Sequence, residues 1–448
     1  MTIVKKLEEL GFSTVGESFY TKVEEWKSWY EGTVKGFSFY KVKTGKKTVT
    51  CKRFSLGMSK KVCEDWASLL MNEKVTITID GKAEQEFVDG VLKKNNFRVK
   101  ANEMQELKGA LGTVAYVPRV VGQSVGGFAE DIQIDYVTVE DMYPLSWRNG
   151  EITECAFTST TTVGGKKYCY LQIHKIAGSG NYVIQNRLFE LENEQMKEVA
   201  LESVRGFEGI PFEVDTKSSE RQFSVDRLAI VNNVDWKIPM GISVYANAID
   251  VLKGVDIAYD SYVNEFVLGK KRIMVKPAAT NFLEGEPVFD TDELVFYVLP
   301  EDQTDGDVIV PIDMTLRTTE HSTGVQDQLN LLSSKCGFGE MYYKFDRGSV
   351  STATQIISEH SAMFRTLQKH EEILRSAIQE LCRIILRLGN SVMGMSLNEN
   401  VEIKIDFDDS IIEDDETEFN RDMRMLAAGV MNDWEFRAKW MGESAEVA

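Results

Sequence analysis

One helix signal of unusual length does most to constrain this chain. The sequence from Thr352 to Leu388 contains neither Gly nor Pro, and Thr352 with Gln355 fits a capping box at the start. Gly389-Asn390 offers a C-terminal stop. At about 1.5 Å per residue the helix would be roughly 55 Å long. Few compact enzymes need such a rod, whereas assemblies that project rods and loops into a shared ring often do.

The composition is that of a globular protein. The 448 residues are 43% hydrophobic and 27% charged, which argues against global disorder and favours two or more folded units. No apolar run reaches about 18 residues, so no membrane span is predicted. None of the cysteines forms a C-x-x-C pair, which predicts free, buried thiols in a reducing cytoplasm. The six are Cys51, Cys63, Cys155, Cys169, Cys336 and Cys382.

The net charge of −19 argues against tight, general DNA binding, because neutralising phosphates needs a basic surface. It is compatible with a duct through which nucleic acid slides, since strong phosphate contacts would slow the movement.

The first half of the chain mixes helices and strands. Amphipathic helices are predicted over 1–30 and 57–72, with strands over 33–56 and 75–80. From 108 to 230 the pattern is mostly short strands separated by turn residues.

A helix is predicted from Ser243, its cap, to about Leu268, with a heptad-like apolar stripe. Such a stripe is more often internal core than an oligomer seam. Here a compact β insertion over 273–318 separates this helix from a shorter one over about 322–335, and this arrangement favours a seam. The predicted seam residues are Tyr245, Leu252, Val255, Tyr259, Tyr262 and Phe266.

A loop rich in aromatic residues precedes the long helix. It contains Tyr342, Tyr343, Lys344 and Arg347, with Gly337, Gly339 and Gly348 as hinges. An ordinary loop and a loop that presents its two cations to a polyanion are both compatible with the pattern. After the long helix come a strand over 401–407, an acidic run over 408–418 that is most simply a solvated surface, and a helical end.

No catalytic or metal-binding motif stands out. Gly45-Lys46-Lys47-Thr48 and Gly165-Lys166-Lys167 lack the phosphate-loop spacing and are interpreted as turns. No nucleophile elbow or kinase set occurs. The histidines do not converge with any metal-site spacing, so packing or surface roles are favoured. They are His174, His321, His360 and His370.

The order of these elements resembles the portal proteins of tailed bacteriophages, especially those of phages of Gram-positive hosts. The resemblance covers nearly the whole chain, and the order of its parts is more specific than any one of them. It is carried by Trp26–Gly32 with Lys60–Glu73, Gly241–Lys271, Thr352–Ile356, and Val401–Ile412.

The resemblance implies an α+β portal fold with an α/β wing, a helical stem, a small β-rich clip, a long wing helix and a short helical crown. The implied domains are a wing (1–240), stem helix 1 (241–269), a clip (270–318), stem helix 2 (319–336), a tunnel loop (337–351), the long wing helix with its returning strand (352–412) and the crown (413–448).

The function implied by the resemblance is structural, with no catalytic site, cofactor or metal. About twelve subunits would form a ring at the unique capsid vertex, nucleate procapsid assembly and conduct double-stranded DNA in packaging and ejection. The clip would dock terminase and later head-completion or adaptor proteins. The implied partners include the major capsid and scaffolding proteins. Assembly would take place in the host cytoplasm, and the mature location would be the virion.

Three groups of residues are the candidate sites under this interpretation. The DNA-channel residues are Tyr342, Tyr343, Lys344 and Arg347. A basic stem–clip cluster comprises Lys270, Lys271 and Arg272. The acidic clip positions for partner docking are Glu284, Glu286, Glu301, Asp302 and Asp305.

Two alternatives remain open. One is an acidic cytoplasmic α+β enzyme with its site among the strands of 108–230. The other is a phage adaptor ring, an oligomer that does not itself conduct DNA.

Overall fold

The computed structural model describes most of the chain and divides it into two compact units. The described residues are 2–44, 47–122, 129–192, 195–268, 272–275, 282–283, 286–287, 296–298, 309–312, 315–345, 353–407 and 415–441. Unit 1 comprises Met1–Glu31, Ser59–Ala246 and His360–Ala448. Unit 2 comprises Gly32–Met58 and Asn247–Glu359.

Helices and strands are both abundant, and the mixed helix-and-sheet class predicted from the sequence is confirmed. The helices are α1 (Ile3–Glu9), α2 (Glu17–Tyr30), α3 (Met58–Leu70), α4 (Lys82–Lys94), α5 (Phe97–Leu111), α6 (Ile249–Leu268), α7 (Thr318–Lys335), α8 (Ala353–Met393), α9 (Asp415–Ala427) and α10 (Asp433–Met441). The strands are β1 (Phe39–Thr44), β2 (Lys47–Lys52), β3 (Thr76–Ile79), β4 (Thr113–Val121), β5 (Asp131–Thr138), β6 (Met142–Arg148), β7 (Glu151–Val163), β8 (Lys166–Ile176), β9 (Tyr182–Glu192), β10 (Gln195–Val199), β11 (Glu213–Asp215), β12 (Ser224–Arg227), β13 (Arg272–Val275), β14 (Phe282–Leu283), β15 (Glu286–Pro287), β16 (Phe296–Val298), β17 (Ile309–Ile312) and β18 (Ile403–Asp406).

The largest sheet of unit 1 is antiparallel, in the order β10-β9-β8-β7-β6, with β11 also paired to β9. Gly164 and Gly165 join β7 to β8 with φ of 58° and 81°. Two successive positive φ angles define the tight hairpin turn that matches strand twist. One face of the sheet packs against α1, whose Leu7 is fully buried in a cluster with Leu171 and Phe189. The sheet therefore has an apolar face that a helix closes.

A second part of unit 1 is built around α5 and the sheet β12-β4-β5. Lys108 on α5 is fully buried and its Nζ lies 3.0 Å from both carboxylate oxygens of Asp226. Gln105 donates to the same carboxylate at 2.9 Å and to the hydroxyl of Tyr116 at 3.2 Å. Burial lowers the pKa of Lys108 and the facing carboxylate opposes that shift. Lys108 and Asp226 therefore form a buried ion pair in the core of unit 1.

Helix α8 confirms the long helix predicted from the sequence, but its predicted C-terminal end was wrong. The helix passes through Gly389 and Asn390 to Met393, and Gly394 follows with φ of 67°. A Cβ on Gly389 would lie 2.7 Å from the ring of Phe87. Gly389 therefore serves close packing inside the helix rather than its termination. The predicted capping residue Thr352 lies outside the described residues, as does the side chain of Gln355.

The sequence also predicts an apolar packing stripe along α8 from Ile356 to Leu388. The Ile356 side chain lies outside the described residues, and Leu388 is half-buried. Met363, Leu367, Leu374, Ile378, Leu381 and Ile385 are all buried. After α8, strand β18 pairs antiparallel with β3, so Ile403 faces Ile79 across the ladder.

Unit 2 contains α6, α7, the short strands between them and the hairpin β1–β2. Strand β13 pairs in parallel with β16 and antiparallel with β17. The division into units places residues 32–58, which the resemblance puts in the wing, together with 247–359. Helix α7 begins at Thr318, a turn earlier than the sequence predicted. No described helix is long and apolar enough to cross a membrane.

Candidate functional site: helices α6 and α7 and the following loop

Helices α6 and α7 form an antiparallel pair. Glu265 near the end of α6 contacts Arg317 and His321 at the start of α7, and Gly254 lies against Gln328 further along. A Cβ at Gly254 would collide with the Gln328 amide. Glycine at this position therefore leaves room for the Gln328 side chain to lie against α6.

An ion pair fixes the end of this helix pair. The Glu265 carboxylate accepts hydrogen bonds from Arg317 Nε at 3.1 Å, Nη2 at 2.9 Å and the backbone N–H at 3.2 Å. His321 Nε2 lies 3.3 Å away. The Arg317 side chain, its backbone N–H and His321 together lower the pKa of Glu265 to about 2. The carboxylate is therefore ionised at neutral pH and holds α6 to the start of α7.

The predicted start of the first stem helix was wrong. Ser243 Oγ donates to the Gly109 carbonyl at 3.1 Å instead of capping α6, and a 3₁₀ turn over Ala246–Ala248 precedes that helix. Tyr245 is consequently outside the helical stripe. Its side chain is fully buried and its hydroxyl donates to the Trp26 carbonyl at 2.9 Å.

The other predicted seam residues differ in exposure. Leu252 and Val255 are buried within the chain, Tyr259 and Tyr262 are half-buried, and Phe266 is exposed. The apolar surface available to a neighbour is therefore not the predicted stripe as a whole. Besides Phe266 it includes three residues that the sequence analysis missed, Ile257, Val267 and Leu331. A seam formed by the stripe stays a prediction.

The loop after α7 turns back onto that helix. Gly337 adopts a φ of 88°, and Phe338 N–H donates to the Ser333 carbonyl at 3.0 Å. The Phe338 ring is buried and stacks on Tyr342, with centroids 4.4 Å apart. Tyr343 packs edge-on against both rings.

Gln326 of α7 holds the loop backbone from both sides. Its Nε2 donates to the Tyr343 carbonyl at 2.8 Å, and its Oε1 accepts from Phe345 N–H at 2.7 Å. The Phe345 ring also contacts Tyr262 of α6 edge-on at 5.6 Å. The described part of the loop is therefore packed rather than extended, and the buried Tyr343 ring offers little surface to a ligand.

The predicted cations and acids are only partly covered by the described residues. Lys344 is exposed. Arg347, Lys270, Lys271, Glu284, Glu301, Asp302 and Asp305 lie outside the described residues. Arg272 begins β13 and Glu286 begins β15, but their side chains are not described. Whether these side chains face a channel or a docking partner remains a prediction.

Two buried carboxylates on α6 hold the segment that follows β2, and the sequence analysis missed both. Asp260 accepts from Phe54 N–H at 2.9 Å, and Asp256 accepts from Leu56 N–H and Ser55 Oγ at 3.0 Å each. Burial raises the pKa of Asp256. Their spacing of four residues places both on one helix face, but local sequence does not indicate partners some 200 residues away.

The described residues contain no group of three or more His, Cys, Asp or Glu side chains placed to hold a metal ion. Two of the histidines have packing roles, as the sequence predicted. His174 lies edge-on to Phe157 and Phe223 at 5.4 and 5.5 Å, and His370 lies edge-on to Trp66 at 5.2 Å. Burial lowers the pKa of each imidazole to about 3.

The chain thus combines helices and sheets with an antiparallel helix pair, short strands between the two helices of that pair, and one very long helix. A family model described as phage portal protein, SPP1 Gp6-like, matches residues 14–435. The chain belongs to this portal protein family, and the resemblance found in the sequence is confirmed.

Solved structures of gene transfer agent (GTA) particles are also similar. The neck of the native GTA particle, computed with C12 symmetry, is 11% identical, with a TM-score of 0.43 over 85% of this chain and 88% of that chain. The neck of the empty particle, computed with C6 symmetry, is 11% identical, with a TM-score of 0.44 over 85% of this chain and 89% of that chain. The virion of the native particle is 10% identical, with a TM-score of 0.40 over 86% of this chain and 89% of that chain. No curated protein matches the chain.

Proposed function

We propose that this protein is the portal subunit of a tailed phage. About twelve copies form a ring at the unique capsid vertex, conduct double-stranded DNA during packaging and ejection, and help nucleate the procapsid. The ring docks terminase and then head-completion or adaptor proteins through the 270–318 segment. The proposal includes no catalytic step and no cofactor.

The observation that carries this proposal is the match of one portal family model to residues 14–435. Because this range spans both units, the match concerns the whole architecture and not one shared motif. The helix pair α6–α7 with strands between its members is the kind of repeated element that neighbouring subunits can line up around an axis.

The charge of the chain supports a conducting role rather than a gripping one. A net charge of −19 per subunit disfavours broad phosphate contact, so DNA can move without many counterion-releasing contacts. Lys344 and Arg347 are the proposed exceptions that face the channel, together with Lys270, Lys271 and Arg272 at the junction of α6 and the 270–318 segment.

Electron microscopy of the purified protein tests the assembly. We expect rings with a central hole in class averages and a native mass of about twelve subunits. Compact monomers at all concentrations would favour the alternative of an acidic α+β enzyme. Views along the ring axis also locate residue 344, and a position on the outer rim would overturn its channel assignment.

A second experiment separates a portal from an adaptor ring. The protein is expressed together with the coat and scaffolding proteins of its phage. We expect it at a single vertex of the procapsid. Procapsids that form without it, and that take it up only after DNA is packaged, would favour the adaptor.

A further inference from the structure

One segment of this acidic chain is strongly basic. Residues 32–63 contain nine Lys or Arg and no Asp or Glu. Since the whole chain carries −19, the remainder carries −28, which is −19 minus +9. The hairpin β1–β2 lies inside this segment. Arg53, Lys60 and Lys61 pair with carboxylates of this chain, and most of the other cations lie in the hairpin. A local reversal of charge of this kind is expected of a surface that recognises an acidic partner.

The strand register divides the hairpin into a basic and an apolar face. Phe39 pairs with Lys52, Lys41 with Thr50 and Lys43 with Thr48. Residues directly opposite in an antiparallel ladder share a face, so these six positions form the basic face. The alternate face is mainly apolar, with Tyr40, Val42, Val49 and Cys51, and ends at the pair Thr44 and Lys47 next to the turn.

Within the part of the chain that the structure describes, the basic face is exposed at all six positions, and the alternate face is partly covered, at Tyr40 and Cys51. Phe39 is 55% exposed, and Val42 and Val49 are 40% and 48% exposed. Lys41, Lys43 and Lys52 are exposed, and none of the three forms an ion pair with a described residue. An isolated two-stranded hairpin is only marginally stable in water, so a surface that packs against it would stabilise it.

The base of the hairpin is anchored, so its direction is set. The Arg53 guanidinium lies over the rings of Phe37 and Tyr40, 4.6 and 5.0 Å from their centroids, and 3.7 Å from Asp260. The hydrogen bonds of Asp256 and Asp260 fix the next three residues to α6. The hairpin therefore projects from a fixed base.

A protein partner fits this surface better than DNA. Three exposed lysines on each of about twelve subunits would make dozens of phosphate contacts, and each contact adds to the affinity and to its salt dependence. That would hinder the movement of DNA through the ring. The exposed Val42 and Val49 also contribute nothing to phosphate recognition, whereas apolar side chains beside charged ones are usual in protein interfaces.

A complementary surface exists on this same chain, along the outer face of α7. Glu320, Thr323, Asp327 and Leu331 are all exposed and lie within about 80° of one another around the helix at 100° per residue. Among described residues neither carboxylate forms an ion pair. This acidic row is about 16 Å long at 1.5 Å per residue. The row Phe39, Lys41, Lys43 is about 14 Å long at 3.4 Å per residue.

We propose that the basic face of the β1–β2 hairpin of one copy docks on the α7 face Glu320–Leu331 of a second copy. Phe39 lies against Leu331, Lys41 against Asp327 and Lys43 against Glu320. The two surfaces differ, so the contact is head-to-tail and leads to a ring when the rotation between copies closes. The inference rests on the proposed ring assembly and names one of its contacts.

A charge swap tests the contact with ring formation as the readout. Lys41→Glu/Lys43→Glu is expected to raise the subunit concentration for half-assembly about tenfold or more, because like charges then face each other. Glu320→Lys/Asp327→Lys is expected to do the same. A chain that carries all four changes again places opposite charges on the two surfaces. Its subunit concentration for half-assembly is expected to return to within about threefold of the wild-type value. Lys82→Glu/Lys93→Glu on α4 changes the net charge equally and should leave assembly unchanged.

The outcomes separate this inference from the proposed function. If the wild type forms no ring, the proposed function fails. If rings form and both double variants assemble normally, the inference is overturned. Normal assembly of Lys41→Glu/Lys43→Glu with weaker binding of a 30-base-pair duplex would also overturn it and assign the hairpin to DNA. If the charge reversal Lys41→Glu/Lys43→Glu unfolds the chain, Lys41→Gln/Lys43→Gln replaces it in the test. This neutral variant is expected to weaken assembly by a smaller factor.

Discussion

The buried imidazoles show how much a single residue can depend on its surroundings. Neither ring nitrogen of His174 has a hydrogen-bond partner among the described residues, and burial lowers its pKa to about 3. The sequence predicted packing or surface roles for the histidines because no metal-ligand spacing occurred. It could not predict which histidines are buried, since burial depends on aromatic neighbours that come from other parts of the chain.

This depressed pKa makes stability depend on pH. The unfolded chain binds a proton at His174 below about pH 6.5, whereas the folded chain does so only near pH 3, so stability falls as pH falls between these values. At pH 5 the cost is about 2 kcal/mol relative to pH 8, at 1.36 kcal/mol per pH unit. We expect His174→Leu to be less destabilising at pH 5 than at pH 8 by about this amount. Denaturant unfolding followed by Trp fluorescence measures it, and equal effects at both pH values would contradict it.

The Lys108–Asp226 pair gives a second prediction for single residues. Lys108→Met leaves a buried carboxylate without its counter-charge, so we expect a loss of about 3–5 kcal/mol in the free energy of unfolding. Adding Asp226→Asn removes the charge and keeps an acceptor for Gln105. The double variant should therefore be more stable than Lys108→Met alone. A double variant that is less stable than either single one would show that the network is held by something other than charge pairing.

At the scale of elements, periodicity predicted which segments are regular, and packing decided where they end and what they pair with. Alternation marked strands near 75–80 and 401–407, and the structure has β3 and β18 there. Their pairing with each other has no local signal, because it joins positions more than 300 residues apart. The end of α8 was misplaced for a similar reason. Glycine usually ends helices, but Gly389 gives room to Phe87.

That explanation of Gly389 is testable by adding one methyl group. In Gly389→Ala the Cβ would lie 2.7 and 2.8 Å from two Phe87 ring atoms. Overpacking costs about 1–3 kcal/mol, which outweighs the gain of about 1 kcal/mol from helix propensity, so we expect destabilisation. Gly90→Ala on α4 is the matched control, since no atom lies within 4 Å of its Cβ. It should stabilise unit 1 by up to about 1 kcal/mol. If both changes stabilise equally, the packing argument fails.

The loop after α7 supplies another prediction at this scale. Gln326→Ala removes the two hydrogen bonds that this side chain makes to the loop backbone at Tyr343 and Phe345. We expect the Phe345 amide to lose most of its protection from hydrogen exchange, while the centre of α7 keeps its own. Thr323→Ala, on the exposed face of α7, is the control and should leave the exchange at Phe345 unchanged. Unchanged exchange in Gln326→Ala would mean that the aromatic cluster alone holds the loop.

At the scale of the whole molecule, the sequence was sufficient to indicate the protein family but not the geometry of the candidate site. The order of the elements was enough to indicate the portal family, because that order is long and depends little on any one boundary. The candidate site was less predictable. Tyr245 belonged to a helical stripe in the sequence but lies in unit 1, hydrogen-bonded to Trp26. The exposed residues Ile257, Val267 and Leu331 gave no separate signal, because exposure depends on which helix faces are already packed.

The net charge predicts that the complete assembly binds DNA weakly. In the proposed ring of about twelve subunits, −19 per subunit would sum to about −230. Non-specific binding of duplex DNA typically has a Kd of only about 10⁻⁴–10⁻⁶ M at physiological salt. We therefore expect the assembled ring to bind a 30-base-pair duplex with a Kd weaker than about 10⁻⁵ M at 0.15 M salt. We also expect Lys344→Ala to weaken binding further without changing the ring. Fluorescence anisotropy across a salt series measures both. Nanomolar binding would contradict a duct, since each neutralised phosphate would then hold the DNA that has to move.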